Sequence, residues 1–142
     1  MLDEIAHAAG CECFVIGEKR RNAVWLCEHT VEVLNGVQEH VARKIIRKFS
    51  FYADHGLGVF SPPNYVAYQQ HTNGPDSFVL GRFRAGNLRA YGFETDVGDW
   101  KVFVVTSILP KKKSKKTDKK LLARAVANGW DVIEGIKSYG KD

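Results

Sequence analysis

Three consecutive segments with β-strand character, separated by two tight turns, constrain the fold of this chain more than any other feature of its sequence. Each segment is rich in aromatic and β-branched side chains, and the three cover residues 78–84, 88–95 and 100–108. Gly86-Asn87 is a favoured two-residue hairpin turn, and residues 97–98 mark the second turn. The sequence therefore predicts a three-stranded antiparallel meander.

The first turn determines which side chains face each other across the hairpin. With a two-residue turn at 86–87, Arg84 lies opposite Arg89 and Arg82 lies opposite Tyr91, so all four emerge on one face near the turn. Two directly opposed arginines destabilise a hairpin by up to about 1 kcal/mol. A phosphate held between the two guanidinium groups would remove this cost. The alternative is that the arginines extend into water and bind nothing.

Weaker patterns predict the remaining elements. Residues 13–16 and 23–27 read as two short strands, and a single helix follows with an apolar stripe over residues 33–52. This stripe belongs either to the core or to an interface for a partner helix. A last helix is predicted to begin at Thr117, as its N-cap, and to stop at residues 128–129.

All of the net positive charge lies in one strip of lysines. Residues 111–120 hold seven lysines and one aspartate, a net charge of +6, whereas the whole chain carries +5. The rest of the chain is therefore close to neutral. A dense cationic strip between two structured segments predicts contact with a polyanion. The alternative is a solvated run of charge without a binding role.

The composition is that of one globular domain. At 142 residues with 44% hydrophobic content, the chain is long enough for a single core. No apolar run approaches the roughly 20 residues that span a bilayer. The acidic start, residues 1–5, lacks the pattern of a signal peptide, so we expect a cytoplasmic protein that does not interact with a membrane.

The cysteines offer a weak metal-binding pattern. Cys11-x-Cys13 and Cys27-x-His29 lie on the two predicted N-terminal strands and in one register would converge as a zinc site. The spacing of one residue is shorter than the usual two to four in structural zinc sites. We therefore predict ordinary thiols, with no metal and no cofactor.

The order of these features resembles that of a known family. A helix is followed by the hairpin sequence RFRAGNLRAY at residues 82–91, an apolar strand at 102–108, the lysine-rich sequence at 111–117 and a short helix that contains Ala125. This order resembles the RelE/HigB/ParE superfamily, the toxins of bacterial type II toxin–antitoxin pairs. The resemblance covers approximately residues 31–128.

The resemblance implies a single RelE-like domain over residues 1–142, in which residues 1–30 are an N-terminal extension. The implied fold class is α+β, with N-terminal helices packed on one face of a curved antiparallel sheet. A short C-terminal helix and a basic groove on the other face complete the implied architecture.

The resemblance also implies a function. RelE- and HigB-like toxins cleave messenger RNA, usually on the ribosome, and a cognate antitoxin protein holds them inactive. ParE-like members inhibit DNA gyrase instead. We therefore expect a metal-independent endoribonuclease, and the alternatives are a gyrase inhibitor or a nucleic-acid binder without catalysis.

The catalytic set that the resemblance implies consists of Arg82, Arg84, Arg89 and one or more of Lys111 to Lys113. Cleavage through the 2′-hydroxyl needs a base, an acid and positively charged groups that stabilise the pentavalent phosphorane. Arginine suits the charge role because its planar fork matches phosphate oxygens.

The proton-transfer roles must be filled without histidine, because all five histidines lie outside the meander. Crowding by like charges favours neutral lysine, so Lys112 or Lys113 is the expected base or acid. Tyr91 is expected to stack on a base or assist proton transfer. The remaining lysines are expected to bind the RNA backbone: Lys111, Lys115, Lys116 and Lys119.

Overall fold

A six-stranded mixed sheet forms the centre of the fold, in the spatial order β1-β2-β6-β5-β4-β3. The computed structural model describes residues 1–111 and 118–140. The strands are β1 Cys11–Ile16, β2 Asn22–Cys27, β3 Tyr65–Asn73, β4 Asp76–Ala85, β5 Leu88–Val97 and β6 Trp100–Leu109. Neighbouring strands are antiparallel except β2 and β6, which pair in parallel.

In the described part of the chain, four α-helices flank the sheet. They are α1 Leu2–Ala8, α2 Glu28–Asn35, α3 Glu39–His55 and α4 Lys119–Ser138, and a 3-10 turn at Leu57–Val59 follows α3. The predicted α+β class is confirmed. Among residues 1–111 and 118–140, no helix combines the length and apolar character that a membrane span requires.

The meander of β4, β5 and β6 is confirmed, and so is the register at its first turn. Arg84 pairs with Arg89 and Arg82 pairs with Tyr91. Gly86 adopts a φ of 59° in the turn, a conformation that glycine reaches without a steric penalty. The local sequence therefore contained enough information to align the two strands.

Helices cover both faces of the sheet, so the predicted arrangement with helices on one face is wrong. Successive side chains of β6 alternate between two cores, because side chains of a strand point to opposite faces. Val104 packs with Ala125 and Val132 of α4 on one face, whereas Phe103 packs with Phe49 of α3 on the other. A purely antiparallel sheet is also wrong, since β2 and β6 are parallel.

The predicted single helix before the meander is two helices. α2 ends at Asn35 and α3 begins at Glu39, with Gly36 as the C-cap of α2. The apolar stripe of α3 lies in the core, where Ile45, Phe49 and Tyr52 are fully buried. These three side chains are therefore not available to a partner helix.

The C-terminal helix is longer than predicted and begins one residue later. Its N-cap is Asp118 rather than Thr117, and the Asp118 side chain accepts hydrogen bonds from the backbone N–H groups of Lys120 and Leu121. The predicted stop at 128–129 is wrong, because α4 continues for 20 residues to Ser138. It is the longest helix in the described part of the chain, not a short one.

The N-terminal residues belong to the same sheet as the meander. β2 is fully covered and pairs with β6, so residues 22–27 form a central strand. Both N-terminal strands were predicted, whereas helix α1 was not. A short helix of seven residues carries too little periodicity to be recognised from the sequence.

Candidate nucleic-acid interface

Three arginines lie together at the turn end of the β4–β5 hairpin. Arg82 and Arg84 are alternate residues of β4, and Arg89 lies opposite Arg84 on β5. They share the face of the sheet that α4 covers, because Tyr91, the cross-strand partner of Arg82, belongs to the core on that face. The predicted grouping of the four side chains is present in the structure.

Arg89 is the most buried of the three, with 7% of its surface exposed. Its Nη1 donates hydrogen bonds to the carbonyl oxygens of Gly86, at 2.7 Å, and Leu88, at 3.2 Å. Its Nε is buried and has no hydrogen-bond partner among the described residues. Arg89 therefore stabilises the turn and retains an unsatisfied donor, which is a costly arrangement for a buried group.

The cluster carries uncompensated positive charge. Burial, and then the charges of Arg84 and Arg82, lower the pKa of Arg89. Over residues 1–111 and 118–140, none of the three arginines forms an ion pair with a carboxylate. A bound anion would therefore relieve repulsion that the described side chains leave in place.

Two tyrosines extend this cluster. Arg82 donates from Nε to the hydroxyl of Tyr68, at 3.0 Å, and from Nη1 to the carbonyl of Pro63, at 3.1 Å. The Tyr68 ring stacks on that of Tyr91, with centroids 6.2 Å apart and an interplanar angle of 25°. Tyr68 could not be assigned to this cluster from the sequence, because its position depends on β3 pairing with β4.

Tyr91 is completely buried, so its ring has no free face on which a base can stack. Burial and the neighbouring Tyr68 raise its pKa, and the charges of Arg82 and Arg89 oppose this rise. Its hydroxyl is buried with no partner among the described residues. The predicted stacking role therefore fits the half-buried Tyr68 better than Tyr91.

A cavity of about 500 Å³ opens between β3, β4 and α4, next to Arg82. Leu80 and Leu122 form apolar parts of its wall, and Tyr68, His71 and Lys119 contribute polar groups. Its volume falls in the range of small-molecule sites. Lys119, one of the predicted binding residues, thus lies in a cavity that also contains the partner of Arg82.

The residues on either side of segment 112–117 both lie beside the hairpin. Lys111 lines a cavity of about 480 Å³ together with Gly86 and Asn87 of the turn. On the other side, the charge of Asp118 adds to the burial that raises the pKa of Tyr91. Four predicted site residues lie outside the described residues, and their roles stay predictions: Lys112, Lys113, Lys115 and Lys116.

A second group of cations, on α3, lies near the same turn. Lys44, Arg47 and Lys48 line a cavity of about 520 Å³ whose far wall includes Gly86. Burial, and then the charge of Arg84, lower the pKa of Lys48. The only sequence signal for this group is the density of charge off the apolar stripe.

The residues considered for zinc binding are used otherwise. Cys11 and Cys27 face each other across β1 and β2, with their sulfur atoms 3.7 Å apart. The Nε2 atom of His29 lies 2.9 Å from the carbonyl oxygen of Thr106 instead. Among the described residues, no group of three or more histidine, cysteine or acidic side chains is arranged to hold a metal ion.

No protein-family model, no curated protein and no solved structure matches this chain. The likeness to RelE- and HigB-type toxins therefore rests on the order of motifs in the sequence. What the structure contributes is the position and charge of the side chains around the β4–β5 hairpin.

Proposed function

We propose that this protein is a RelE/HigB-like toxin that cleaves RNA, and that the hairpin arginines hold the scissile phosphate. The observation that carries the proposal is the grouping of Arg82, Arg84 and Arg89 on one face without a carboxylate partner in the described part of the chain. Buried like charges destabilise the free protein, so a site of this kind is suited to an anionic ligand.

The arginines supply charge stabilisation. When the 2′-oxygen attacks the phosphorus, the phosphorane gains negative charge on its non-bridging oxygens. Arg84, which is half-exposed, contacts these oxygens, and Arg89, directly opposite it on β5, adds a second positive charge beside them. Arg82 donates to Tyr68 and thereby orients that ring for a neighbouring base.

The proton transfers are assigned to Lys112 and Lys113, one as the base that takes the 2′-proton and the other as the acid for the 5′-oxygen. Tyr91 keeps its proton at neutral pH, because burial and Tyr68 raise its pKa. It therefore stays a neutral phenol beside the arginines and does not act as a base.

The same proposal assigns the partners. Messenger RNA, presented by the ribosome, is the substrate, and Lys111, Lys115, Lys116 and Lys119 hold its backbone by charge. A cognate antitoxin inactivates the protein in the cell, and an acidic segment that covers the arginine cluster would satisfy its charges.

A binder without catalysis is the second candidate, either of nucleic acid or, as in ParE-like toxins, of DNA gyrase. One observation favours it. In the described part of the chain, the groups in contact with the three arginines include no histidine or carboxylate that would serve as a general base. Under this alternative, the cluster binds a polyanion and leaves it intact.

Arg84→Gln is the sharpest test of the cleavage proposal. Arg84 donates one described side-chain hydrogen bond, to Gly86, whereas Arg89 supports the turn through two carbonyls. Loss of one charge-stabilising donor lowers cleavage by about 10² to 10³-fold. The measurement is cleavage of a messenger RNA by the purified protein, with and without ribosomes, followed by mapping of the transcript ends.

Arg21→Gln is the matched control, because Arg21 is exposed, pairs with Asp99 and precedes β2 at the opposite end of the sheet from the hairpin turn. We expect it to cleave RNA like the unaltered protein. Intact RNA under all conditions, or equal activity of the two variants, would contradict the proposal. Binding without scission, weakened by Arg84→Gln, would favour the second candidate.

A further inference from the structure

We propose that α3 and the hairpin turn form a second subsite for single-stranded nucleic acid, made by Lys44, Arg47, Lys48 and Phe51. This α3 subsite lies on the opposite side of the Gly86 turn from the arginine cluster. It deepens the proposed function, on which it rests for the identity of the ligand as RNA. It extends the path of the strand past the three arginines and across the turn.

The helical spacing places these side chains in one row. Residues 47 and 48 each lie three or four positions from both 44 and 51, so all four share one side of α3. The apolar face of α3 packs on the sheet through Ile45, Phe49 and Tyr52. The row lies beside this face, where Lys44 and Arg47 are exposed and Lys48 is half-buried.

The row is positively charged and has no acidic partner in the described part of the chain. Arg43 pairs with Glu39 on the same helix, but Lys44, Arg47 and Lys48 form no ion pair with any described residue. Lys48 donates a hydrogen bond to the side-chain oxygen of Asn64, at 2.7 Å, which positions it at the cavity wall.

An exposed aromatic ring accompanies the cations. Phe51 keeps 48% of its surface exposed, whereas most large apolar side chains of this fold are buried. Its ring is held by two neighbours, His55, with ring centroids 4.4 Å apart, and Phe60, in an edge-to-face contact with centroids 5.7 Å apart. Phe51 and Phe60 both border the cavity of about 520 Å³ that the three cations share with Gly86. A fixed, half-exposed ring beside cations is the arrangement on which single-stranded nucleic acids stack.

Arg84 connects this subsite with the arginine cluster. On one side of the turn, burial is the first cause that lowers the pKa of Lys48, and the charge of Arg84 is the second. The same charge, after burial, lowers the pKa of Arg89 on the other side. One guanidinium group therefore lies close to both groups of cations, and a strand bound at the arginines needs only to cross the turn to reach α3.

The combination of cations and an aromatic ring selects the ligand. An acidic protein segment would use the cations, but its charged side chains would not use the exposed phenyl ring. A nucleic-acid strand uses both, because phosphates bind the cations and each base offers a face for stacking. We therefore assign the subsite to a nucleic-acid strand.

The test compares the binding of oligothymidylates of increasing length, from about 4 to about 16 nucleotides, by fluorescence anisotropy with the full-length protein. These deoxyribonucleotides lack the 2′-hydroxyl, so they are bound but not cut by the proposed chemistry. The unaltered protein is expected to bind the longer strands more tightly. The variant Lys44→Gln/Arg47→Gln/Lys48→Gln is expected to lose this gain, and its salt slope falls by about 2, since each phosphate contact contributes roughly 0.7.

A triple variant of equal charge provides the control: Lys19→Gln/Arg21→Gln/Lys101→Gln. Arg21 and Lys101 lie at the opposite end of the sheet, where both form exposed ion pairs. The control is expected to bind each strand like the unaltered protein. Phe51→Leu keeps an apolar contact with Phe60 and is expected to weaken only the longer strands, by about tenfold.

The proposal of the α3 subsite would be overturned if the two triple variants showed the same length dependence and the same salt slope. The same measurements are expected if the row binds an acidic protein instead of a nucleic-acid strand. This outcome is distinct from failure of the proposed function, which would be the absence of RNA cleavage. Binding of oligothymidylate is measured without any cleavage step, so the two results are obtained independently.

Discussion

Cys11 and Cys13 lie in the N-terminal hairpin as thiols whose surroundings favour the protonated form. A hydrogen bond with Cys27, together with burial, raises the pKa of Cys11. Burial is also the main cause that raises the pKa of Cys13 from 9.0 to about 11. Since the thiolate is the reactive species, the folded protein holds Cys11 and Cys13 in an unreactive state near neutral pH.

We predict slow thiol labelling of the native protein. At pH 7.5, a shift of the Cys13 pKa from 9.0 to about 11 lowers its thiolate fraction by about 100-fold. Its reaction with a disulfide reagent should be slower by about that factor than in denaturant, and should accelerate as the pH approaches 11. Cys13→Ser identifies the contribution of this residue. A native thiol that reacts as fast as in denaturant would contradict the prediction.

In helix α4, two glycines allow close packing against neighbouring elements and do not end the helix. A Cβ atom on Gly129 would lie 2.9 Å from Phe78 and 3.1 Å from Phe93, both in the sheet beneath the helix. A Cβ atom on Gly135 would lie 2.7 Å from the backbone of Ala9. The two glycines thus let α4 approach the sheet and the end of α1 more closely than alanine would.

We predict that Gly129→Ala destabilises the protein. Overpacking against Phe78 and Phe93 costs about 1–3 kcal/mol, and the better helix propensity of alanine returns up to about 1 kcal/mol. The free energy of unfolding in urea measures the balance. Ala127→Gly, at an exposed site of the same helix, is the control for propensity alone and should cost about 1 kcal/mol. A Gly129→Ala protein more stable than the original would refute the packing argument.

Across the whole molecule, buried tyrosines link the helical layer of α3 to the sheet. The Tyr52 hydroxyl donates a hydrogen bond of 2.7 Å to the Glu94 carboxylate of β5. Burial, followed by this hydrogen bond, raises the pKa of Tyr52. Burial, and then the charge of Glu94, raise the pKa of Tyr65. Both phenols therefore hold their protons more tightly in the folded state than in the unfolded chain.

We predict that the fold loses stability in mild alkali. Below pH 10, the phenols are protonated in both the folded and the unfolded state, so their full contribution to the free energy of unfolding is present. Above pH 10, the unfolded chain releases them first, so each tyrosine lowers the free energy of unfolding by about 1.4 kcal/mol per pH unit. Urea unfolding between pH 8 and about 11 measures this slope.

Tyr52→Phe is the control for the alkaline prediction, because it retains the ring in the core and removes one titrating group. Its stability should be lower at neutral pH through loss of the hydrogen bond to Glu94. It should also decline less steeply with pH than the original. A stability that stays constant up to pH 11 would contradict the role assigned to the buried phenols.

Short-range patterns were sufficient for the meander. Gly86 and Asn87 favour one turn type, the two-residue turn sets the pairing of Arg84 with Arg89, and the alternation of side chains places both on one face. The candidate arginine cluster was predictable for this reason, since all its members lie within eight residues of each other. The Asn128-Gly129 stop was wrong because the same local signal also fits a close helix–sheet contact.

Contacts between distant parts of the chain decided the rest. The parallel pairing of β2 with β6, the helices on both faces and the approach of Tyr68 to Arg82 all join residues that no local pattern relates. The position of Lys48 beside Arg84 likewise follows from the packing of α3 on the sheet. The sequence by itself determined the strands, their first turn and the charges they carry. Only the tertiary structure decided which of those charges share a surface, because burial of both sheet faces sets the distances between elements.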